Sequence, residues 1–498
     1  MWFSRRTWVG AALGVAVFAC GGRPQRSSVA LSGRMLSAQW WTVQTEHFTL
    51  RTNLDASAAE GAARELELLR SALLGALFSE NLSPAGKLSA VIFRDPEELT
   101  EFVQREVDGF VTSTPAGPLL VAASQGGLLR DSKLRRAALV HELAHYLSAF
   151  VLLRQPRWFS EGLAEYLESA EIEAGGRGVV LGRVNEDNLK LLRRVGPLGI
   201  DMLWAWDVDG SQPVDSAQHY ASAWLWIHFL RHAEPVRYEA FERRLRKADD
   251  PLDAFESAFS GVSAGALTDR AYDYLRRGEF RVTRRATEVP QTTAKREALS
   301  KAEVHALRAT LFLEAPGGLS EATQRLRAEA EAAQALELDA TNVTAALVVA
   351  PFRSREARLA LARSLVRTHS TDGRAWSFFA GELINDASLR AERKLALERA
   401  LKYSPDDPVA LNNLAYELVE TGRAAEGLAL SERAVRQAPW SPAFLDTYAA
   451  ALHDVGRCPE ALTTQQRALE LMHEGVSAAE RQTFRAALVK YRASCGSP

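Results

Sequence analysis

The pentapeptide His141-Glu142-Leu143-Ala144-His145 determines how the first half of the chain is interpreted. It lies in a long stretch of helical apolar spacing, which Asp131 and Ser132 are expected to cap at its start. Residues four apart share one face of a helix, so the imidazoles of His141 and His145 can converge on one metal ion. Because neutral imidazole suits zinc, the spacing predicts a helix that binds a metal.

The other requirements of a catalytic zinc site point to neighbouring residues. Glu142 is adjacent to the first histidine, where it could take a proton from water at the metal without being a ligand itself. A catalytic zinc also needs a third protein ligand and one open position. The next acidic side chains stand just beyond Pro156, in the segment Trp158-Phe159-Ser160-Glu161-Gly162-Leu163-Ala164-Glu165-Tyr166.

These two segments together resemble the gluzincin metallopeptidases, especially the peptidase-MA-like group. The resemblance covers about residues 40–280 and is most specific over residues 136–168. It implies an α+β zincin-like domain that binds one zinc ion, with Glu161 as the third ligand beside His141 and His145. It also implies that Gly162 lets its helix approach the HExxH helix. The implied activity is peptide-bond hydrolysis by a zinc-activated water, with Glu142 as general base.

Further site residues are less strongly indicated. Glu165 lies one turn beyond Glu161 and could accept a hydrogen bond from the outer nitrogen of a ligating histidine, or it could be a solvated helix charge. In the resembling proteins a tyrosine often stabilises the oxyanion, which makes Tyr220 the candidate, with His219 behind it; both could also be ordinary helix residues. The aminopeptidase segment Gly-x-Met-x-Asn is missing upstream, which favours an endopeptidase.

The run Leu119-Leu120-Val121-Ala122-Ala123 precedes the HExxH helix and reads as a β-strand. As the edge strand of a sheet it could pair with an extended peptide substrate. As an interior strand it would only pack.

The second half of the chain repeats with a period of 34 residues, the tetratricopeptide (TPR) signature. Gly422 and Gly456 are 34 residues apart, and so are Leu411 and Leu445. The period predicts repeats at about 374–407, 408–441 and 442–475, with degenerate ones before them, in an all-α TPR solenoid over residues 301–498. Its groove could bind a peptide or partner protein, or the array could be a packing and spacing module.

The first twenty residues have the features of an export signal, with two arginines followed by a short apolar run. The end of this run resembles the lipobox of bacterial lipoproteins, which implies lipidation of Cys20; a simple cleaved signal is the alternative. Residues 21–39 are expected to be a flexible tether. The predicted location is therefore the cell envelope, facing the periplasm, with the lipid as the only membrane contact, and Gly21 favours the outer membrane.

Export affects the interpretation of the two remaining cysteines. An oxidising compartment could join Cys458 and Cys495 in a disulfide, or both could remain thiols. The polar stretch 281–300, which contains Pro290, is expected to link the two domains.

Composition excludes several classes of protein. The 498 residues, 47% hydrophobic and 24% charged, suit two or three globular domains. With 60 basic and 62 acidic residues the net charge is -2, so no overall field attracts the chain to nucleic acid, and no nucleic-acid partner is expected.

The sequence thus predicts an α+β zincin-like metallopeptidase domain followed by an all-α TPR solenoid. The leading hypothesis is an exported, lipid-anchored zinc endopeptidase whose TPR array binds a protein substrate or partner. A second is an inactive peptidase-like domain on a TPR scaffold in the envelope. A third is a zinc hydrolase that acts on a non-protein amide or ester.

Overall fold

The computed structural model describes residues 35–78, 87–103, 109–114, 117–124, 133–152, 154–173, 175–206, 216–247, 249–315, 319–384, 386–472 and 477–495. The chain forms two compact units, called below the N-terminal unit, which holds residues 35–112 and 117–298, and the C-terminal unit, which begins at Leu299; residues 113–116 are grouped with the second unit. The expected export signal, Cys20 and the helix cap at Asp131 and Ser132 lie outside the described residues. None of the helices in the described ranges has both the length and the apolar character needed to cross a bilayer.

The N-terminal unit is built on a six-stranded mixed sheet. In spatial order the strands are β4 (Gly109–Thr114), β5 (Gly117–Ala123), β3 (Leu88–Phe93), β2 (Phe48–Thr52), β1 (Trp41–Gln44) and β9 (Lys295–Ala298). Strands β2, β3 and β5 run parallel, and β1 pairs antiparallel with both β2 and β9. Residues of β2 alternate between buried and half-buried, whereas β3 is buried along almost its whole length, as expected of an interior strand.

The order of the strands decides between the two alternatives for Leu119–Ala123 in favour of the interior strand. This run forms β5, which lies between β4 and β3. Its backbone groups therefore pair within the sheet and are not available to a peptide substrate. The strand at this edge of the sheet is β4.

The composition of segment 281–300 suggested a linker without regular structure, but the segment contains two β-strands. Thr283–Ala286 forms β8, which pairs with β7 (Gly178–Leu181) in a second sheet that also holds β6 (Glu171–Ile172). Lys295–Ala298 forms β9 of the large sheet. All four side chains of β8 are exposed, because backbone pairing at a sheet margin does not require apolar side chains. Polar composition could therefore not distinguish these strands from a loop.

Ten helices of the N-terminal unit are described. Helix α4 (Arg157–Glu168) carries the expected third ligand. It packs against α3 (Lys133–Val151), which carries HExxH, and against α7 (Ser216–Ala233). The helices are α1 (Ala56–Leu77), α2 (Pro96–Leu99), α3 (Lys133–Val151), α4 (Arg157–Glu168), α5 (Glu186–Val195), α6 (Ile200–Trp204), α7 (Ser216–Ala233), α8 (Pro235–Arg246), α9 (Pro251–Ala258) and α10 (Ala264–Arg277).

An aromatic cluster and a glycine fix the position of α4. Trp158 and Phe159 at its start are fully buried, and both rings pack against Phe241 of α8. A Cβ at Gly162 would lie 2.4 Å from the carbonyl oxygen of Ala223 in α7. Gly162 is therefore needed for the approach of α4 to α7, and not to the HExxH helix as expected.

The C-terminal unit confirms the expected all-α, TPR-like solenoid. The helices are α11 (Lys301–Glu314), α12 (Glu321–Leu338), α13 (Val343–Val349), α14 (Arg355–Thr368), α15 (Gly373–Glu382), α16 (Arg390–Tyr403), α17 (Pro408–Glu420), α18 (Ala424–Gln437), α19 (Pro442–Asp454), α20 (Cys458–Glu470) and α21 (Ala478–Cys495). Successive helices with short connections pack as hairpins, most extensively α11 with α12, α15 with α16, α17 with α18 and α19 with α20.

The 34-residue period has a direct structural cause. Gly422 and Gly456 each end the first helix of a hairpin with a positive φ, 74° and 83°, which glycine adopts without the steric cost of a side chain. The guanidinium of Arg433 donates to the carbonyl oxygen of Pro405 at 2.6 Å, and one period later Arg467 donates to that of Pro439 at 2.7 Å. The same backbone conformation and the same hydrogen bond thus recur in two successive hairpins, α17 with α18 and α19 with α20.

Candidate metal centre

Helices α3 and α4 bring three metal-binding atoms together at the centre of the N-terminal unit. His141 Nε2 and His145 Nε2 are 3.0 Å apart, and Glu161 Oε2 lies 3.5 Å from the first and 3.3 Å from the second. All three residues are buried. The structure therefore contains a buried His/Glu cluster that could hold a metal ion, built from the three residues named as ligands.

The donor atoms fit a bound cation. A tetrahedral zinc with bonds of about 2.0–2.1 Å holds its ligand atoms roughly 3.3 Å apart, close to the three distances here. Glu161 Oε2 is buried and accepts no hydrogen bond from any described residue. A buried carboxylate oxygen in that state is costly unless a cation compensates it. Two imidazole nitrogens and one carboxylate oxygen are also ligands that zinc prefers.

The electrostatics of the cluster lead to the same conclusion. Burial alone would lower the pKa of His141, but the adjacent carboxylates of Glu161 and Glu168 outweigh burial and raise that pKa well above its usual value. Burial would raise the pKa of Glu161, but the nearby His145 and His141 hold it well below its usual range. The surroundings thus favour positive charge at His141 beside the ionised carboxylate of Glu161, and a divalent cation would also provide that charge.

The outer nitrogens of both histidines are hydrogen-bonded. His141 Nδ1 lies 2.8 Å from Glu168 Oε1, and His145 Nδ1 lies 3.0 Å from Ser160 Oγ. Such contacts fix the orientation of each ring and direct Nε2 toward the shared centre. Both partners belong to α4, so one helix supplies a ligand and orients the other two.

Glu165 does not have the role expected of it. Its Oε2 accepts a hydrogen bond from Asn188 Nδ2 of α5 at 2.8 Å, while Glu168 takes the contact with His141. Burial, reinforced by the charge of Glu168, raises the pKa of Glu165 to about 8. Glu165 is therefore a buried carboxyl near the cluster whose neutral form is favoured by burial, neither a partner of the histidines nor a solvated charge.

Glu142 lies beside the cluster and is held by the edge strand. Its Oε2 accepts a hydrogen bond from the backbone N–H of Val111 in β4 at 3.1 Å. Burial raises the pKa of Glu142, although the two histidines oppose that shift. The carboxylate is thus fixed next to the metal ligands without being one of the three converging groups.

Tyr220 belongs to a cluster at the junction of α4 and α7. The ring of Trp206 stacks on His219 at 4.9 Å and meets Tyr220 edge-on at 5.0 Å. The Arg157 guanidinium lies 4.4 Å from the centre of the same indole and donates a hydrogen bond to Tyr220. Burial and then the charge of Glu161 raise the pKa of Tyr220 to about 12, so its hydroxyl is protonated at neutral pH and can donate.

Several residues of this site were not found from the sequence. Glu168 is seven residues after Glu161, two helical turns along the same face, so helical spacing could have suggested it. Ser160 is adjacent to the third ligand, but adjacency does not indicate its contact with His145. Arg157 and Val111 carried no local signal, because their roles depend on the packing of α7 and β4 against α3 and α4.

The two cysteines of the C-terminal unit form a disulfide. Cys458 and Cys495 have Cα atoms 5.7 Å apart and are bonded, which settles the choice that the sequence left open. They lie outside the metal cluster's unit.

Comparisons with solved structures find TPR proteins at low identity. PilW, described as a widely conserved type IV pilus biogenesis factor, is 16% identical, with 39% of this chain and 92% of that chain covered and a TM-score of 0.30. A thermophilic TPR protein of Thermus thermophilus is 13% identical, with 38% and 99% covered and a TM-score of 0.29. YrrB, described as a TPR protein with an unusual peptide-binding site, is 18% identical, with 36% and 92% covered and a TM-score of 0.26. Similarities of this size assign no function.

The remaining comparisons concern sequence families and curated proteins. No curated protein matches the chain significantly. Residues 136–253, which contain His141, Glu142, His145, Glu161 and Tyr220, match the family described as "Protein of unknown function (DUF1570)".

Proposed function

We propose that the N-terminal unit is a zinc-dependent hydrolase of peptide bonds and that the C-terminal TPR-like array binds its protein substrate or a partner. The convergence of His141 Nε2, His145 Nε2 and Glu161 Oε2 within 3.5 Å, beside a buried carboxylate that is not a ligand, is the observation that carries this proposal. The match of helix spacing and ligand type to a zinc site supports it.

Each residue of the site has a proposed role. Zinc, held by the three ligands, would supply a Lewis acid that makes water acidic enough to attack near neutral pH. Glu142 accepts the proton of the attacking water and passes it to the leaving nitrogen; its raised pKa suits that exchange. Tyr220 donates its hydroxyl hydrogen bond to the oxygen on which charge develops. Glu168 and Ser160 hold the histidine rings in place.

The proposed location is the cell envelope, with a lipid on Cys20 as anchor. The disulfide between Cys458 and Cys495 supports export, because such bonds persist mainly in oxidising compartments. Fractionation of cells that express Cys20→Ser tests the anchor. We expect the variant in the soluble fraction, and a variant that stays with the membranes would contradict lipid anchoring.

A second candidate function is a scaffold without catalysis. The burial of every residue at the metal cluster favours it, since His141 is 0% and Glu142 5% exposed, which leaves little access for a substrate. In that case the metal would stabilise the packing of α3 on α4, and the array would be the functional part.

The decisive experiment is the zinc content of the purified protein, measured by mass spectrometry. We expect about one zinc per chain in the wild type and almost none in His145→Ala and Glu161→Ala. Glu256→Ala, which removes an exposed carboxylate of the same unit, is the matched control and should keep its zinc. Zinc that is absent from the wild type, or retained by both ligand variants, would exclude the proposed site.

Glu142→Gln separates the two functions. As a hydrolase the variant should keep its zinc, lose about 10²–10⁴-fold in turnover, and retain substrate proteins long enough to identify them. As a scaffold it should restore cells that lack the protein as well as the wild type does. That second result would favour the scaffold.

A further inference from the structure

An open groove in the C-terminal unit lies between α20 and α21. Its volume is about 320 Å³. One wall comes from α20 and the other from α21, and the lining residues are Gln466, Leu469, Glu470, Arg481, Arg485, Leu488 and Arg492. The groove belongs to one compact unit and is separate from the metal cluster.

The wall formed by α21 is a single helical stripe. Arg481, Arg485, Leu488 and Arg492 follow the spacing i, i+4, i+7 and i+11, so all four project from one side of the helix. The neighbouring face buries Phe484 and Tyr491 against the array. The arginines are therefore at the margin of a packed face, where their stems cover apolar surface and their charged ends reach solvent.

Two of the three arginines on this wall carry a positive charge that no described carboxylate pairs with. Glu470 is the one carboxylate among the lining residues, and Gln466 donates a hydrogen bond to it at 3.1 Å. Arg481 donates to the carbonyl oxygen of Met472 at 3.3 Å. Arg485 and Arg492 are exposed, and neither forms an ion pair with a carboxylate in the described part of the chain.

The groove combines charge with an apolar floor and a fixed width. Leu469 is half-buried and Leu488 is 6% exposed, and they line the groove from opposite walls. The disulfide joins Cys458, the first residue of α20, to Cys495, the last residue of α21, so the two helices are cross-linked at one end. A groove whose walls are held together loses little conformational freedom when a ligand binds.

We propose that this groove binds an acidic peptide segment of a partner protein. Guanidinium groups pair with carboxylates through two parallel hydrogen bonds, and those of Arg485 and Arg492, two helical turns apart on one wall, match side chains of Asp or Glu spaced along an extended peptide. The methylene groups of the same side chains pack on the two leucines. An acidic segment would thus be the feature of the partner that the array recognises. This inference rests on the proposed binding role of the array, and not on zinc or on catalysis.

The test is fluorescence anisotropy of the full protein with two labelled peptides that have amidated C-termini, hexaglutamate and hexaglutamine. We expect hexaglutamate to bind, more weakly as NaCl is raised, and hexaglutamine not to bind. The double variant Arg485→Ala/Arg492→Ala should bind hexaglutamate about tenfold more weakly or worse. The corresponding Lys variant should recover part of the affinity, because lysine keeps the charge without the planar fork.

The matched control is Arg363→Ala/Arg367→Ala on α14. These arginines are exposed, share one helical face and have no carboxylate partner among the described residues, but they are not among the residues that line this groove. They should leave binding unchanged. Equal loss in the control, equal binding of both peptides, or an unaffected groove variant would overturn the proposal. Hexaglutamine with a free C-terminus distinguishes a terminal carboxylate from side-chain carboxylates, and binding of that peptide alone would also contradict it.

Discussion

Buried charges are arranged differently in the two units. In the C-terminal unit, buried or half-buried arginines lie beside glutamates, as in Arg308 with Glu331 at 2.8 Å and Arg358 with Glu382 at 2.9 Å. At the centre of the N-terminal unit, carboxylates and imidazoles converge without an arginine between them, and the residues are His141, Glu142, His145, Glu161, Glu165 and Glu168.

The difference separates structural charges from functional ones. An Arg–Glu pair that is fully hydrogen-bonded is complete and holds two helices in register. In the cluster, by contrast, Glu161 Oε2 accepts no hydrogen bond from a described residue, which leaves that oxygen able to bind a cation. Perturbed groups that converge in this way are typical of functional sites, whereas paired ones are typical of packing.

Removal of the disulfide should have the largest effect on stability and should be confined to the C-terminal unit. Cys458→Ser/Cys495→Ser removes a cross-link between residues 37 apart in sequence. The expected loss in the free energy of unfolding is about 2–4 kcal/mol, because the unfolded chain regains the freedom that the cross-link denied it. Hydrogen exchange in each unit measures it. A loss of protection as large in α3 and α4 as in α20 and α21 would show that the two units are not independent.

Glu168 and Glu165 should contribute unequally to zinc affinity in the candidate metal centre. Glu168→Gln weakens the charge-assisted contact with His141 Nδ1, so zinc affinity should fall about 10–100-fold in competition with a chelator. Glu165→Gln preserves a neutral side chain that bonds to Asn188 and should change zinc affinity much less. Equal effects of the two substitutions would contradict the assignment of Glu168 as the histidine partner.

Acid should destabilise the N-terminal unit through a pair of neutral histidines. His228 and His232 have rings 4.5 Å apart, and His232 Nε2 is hydrogen-bonded to Tyr166 Oη at 3.0 Å. Burial, with the charges of His228 and Arg231, lowers the pKa of His232 to about 3, and burial lowers that of His228 as well. Between about pH 6.5 and 3 the unfolded chain therefore binds more protons than the folded chain, and stability falls as the pH falls.

The change in the free energy of unfolding per pH unit measures this effect. One such histidine contributes at most about 1.4 kcal/mol per pH unit to the free energy of unfolding. Urea unfolding at several pH values, followed in the N-terminal unit, should give a shallower slope for His232→Asn than for the wild type. An unchanged slope would mean that His232 is protonated in the folded protein.

The sequence and the structure agree most closely where local spacing decides the geometry. The four-residue spacing of His141 and His145 places both rings on one face of any helix, and the 34-residue period reflects a left-handed glycine and a recurring hydrogen bond. The prediction and the structure differ where pairing with neighbouring strands sets the position of a segment. Strand β5 is interior because β4 covers its edge, and residues 283–286 and 295–298 are strands because other strands pair with their backbone.

Local sequence patterns were therefore enough to predict an α+β unit followed by an all-α TPR-like array, the residue types of the His/Glu cluster and the repeat, because helical periodicity and repeat length depend on contacts close in the chain. Three further features follow from contacts between distant elements: Glu168 and not Glu165 contacts His141, Gly162 faces α7, and Cys458 and Cys495 are bonded. Each of these depends on which of several equally spaced side chains meets a distant partner, and that is set by the packing of whole elements.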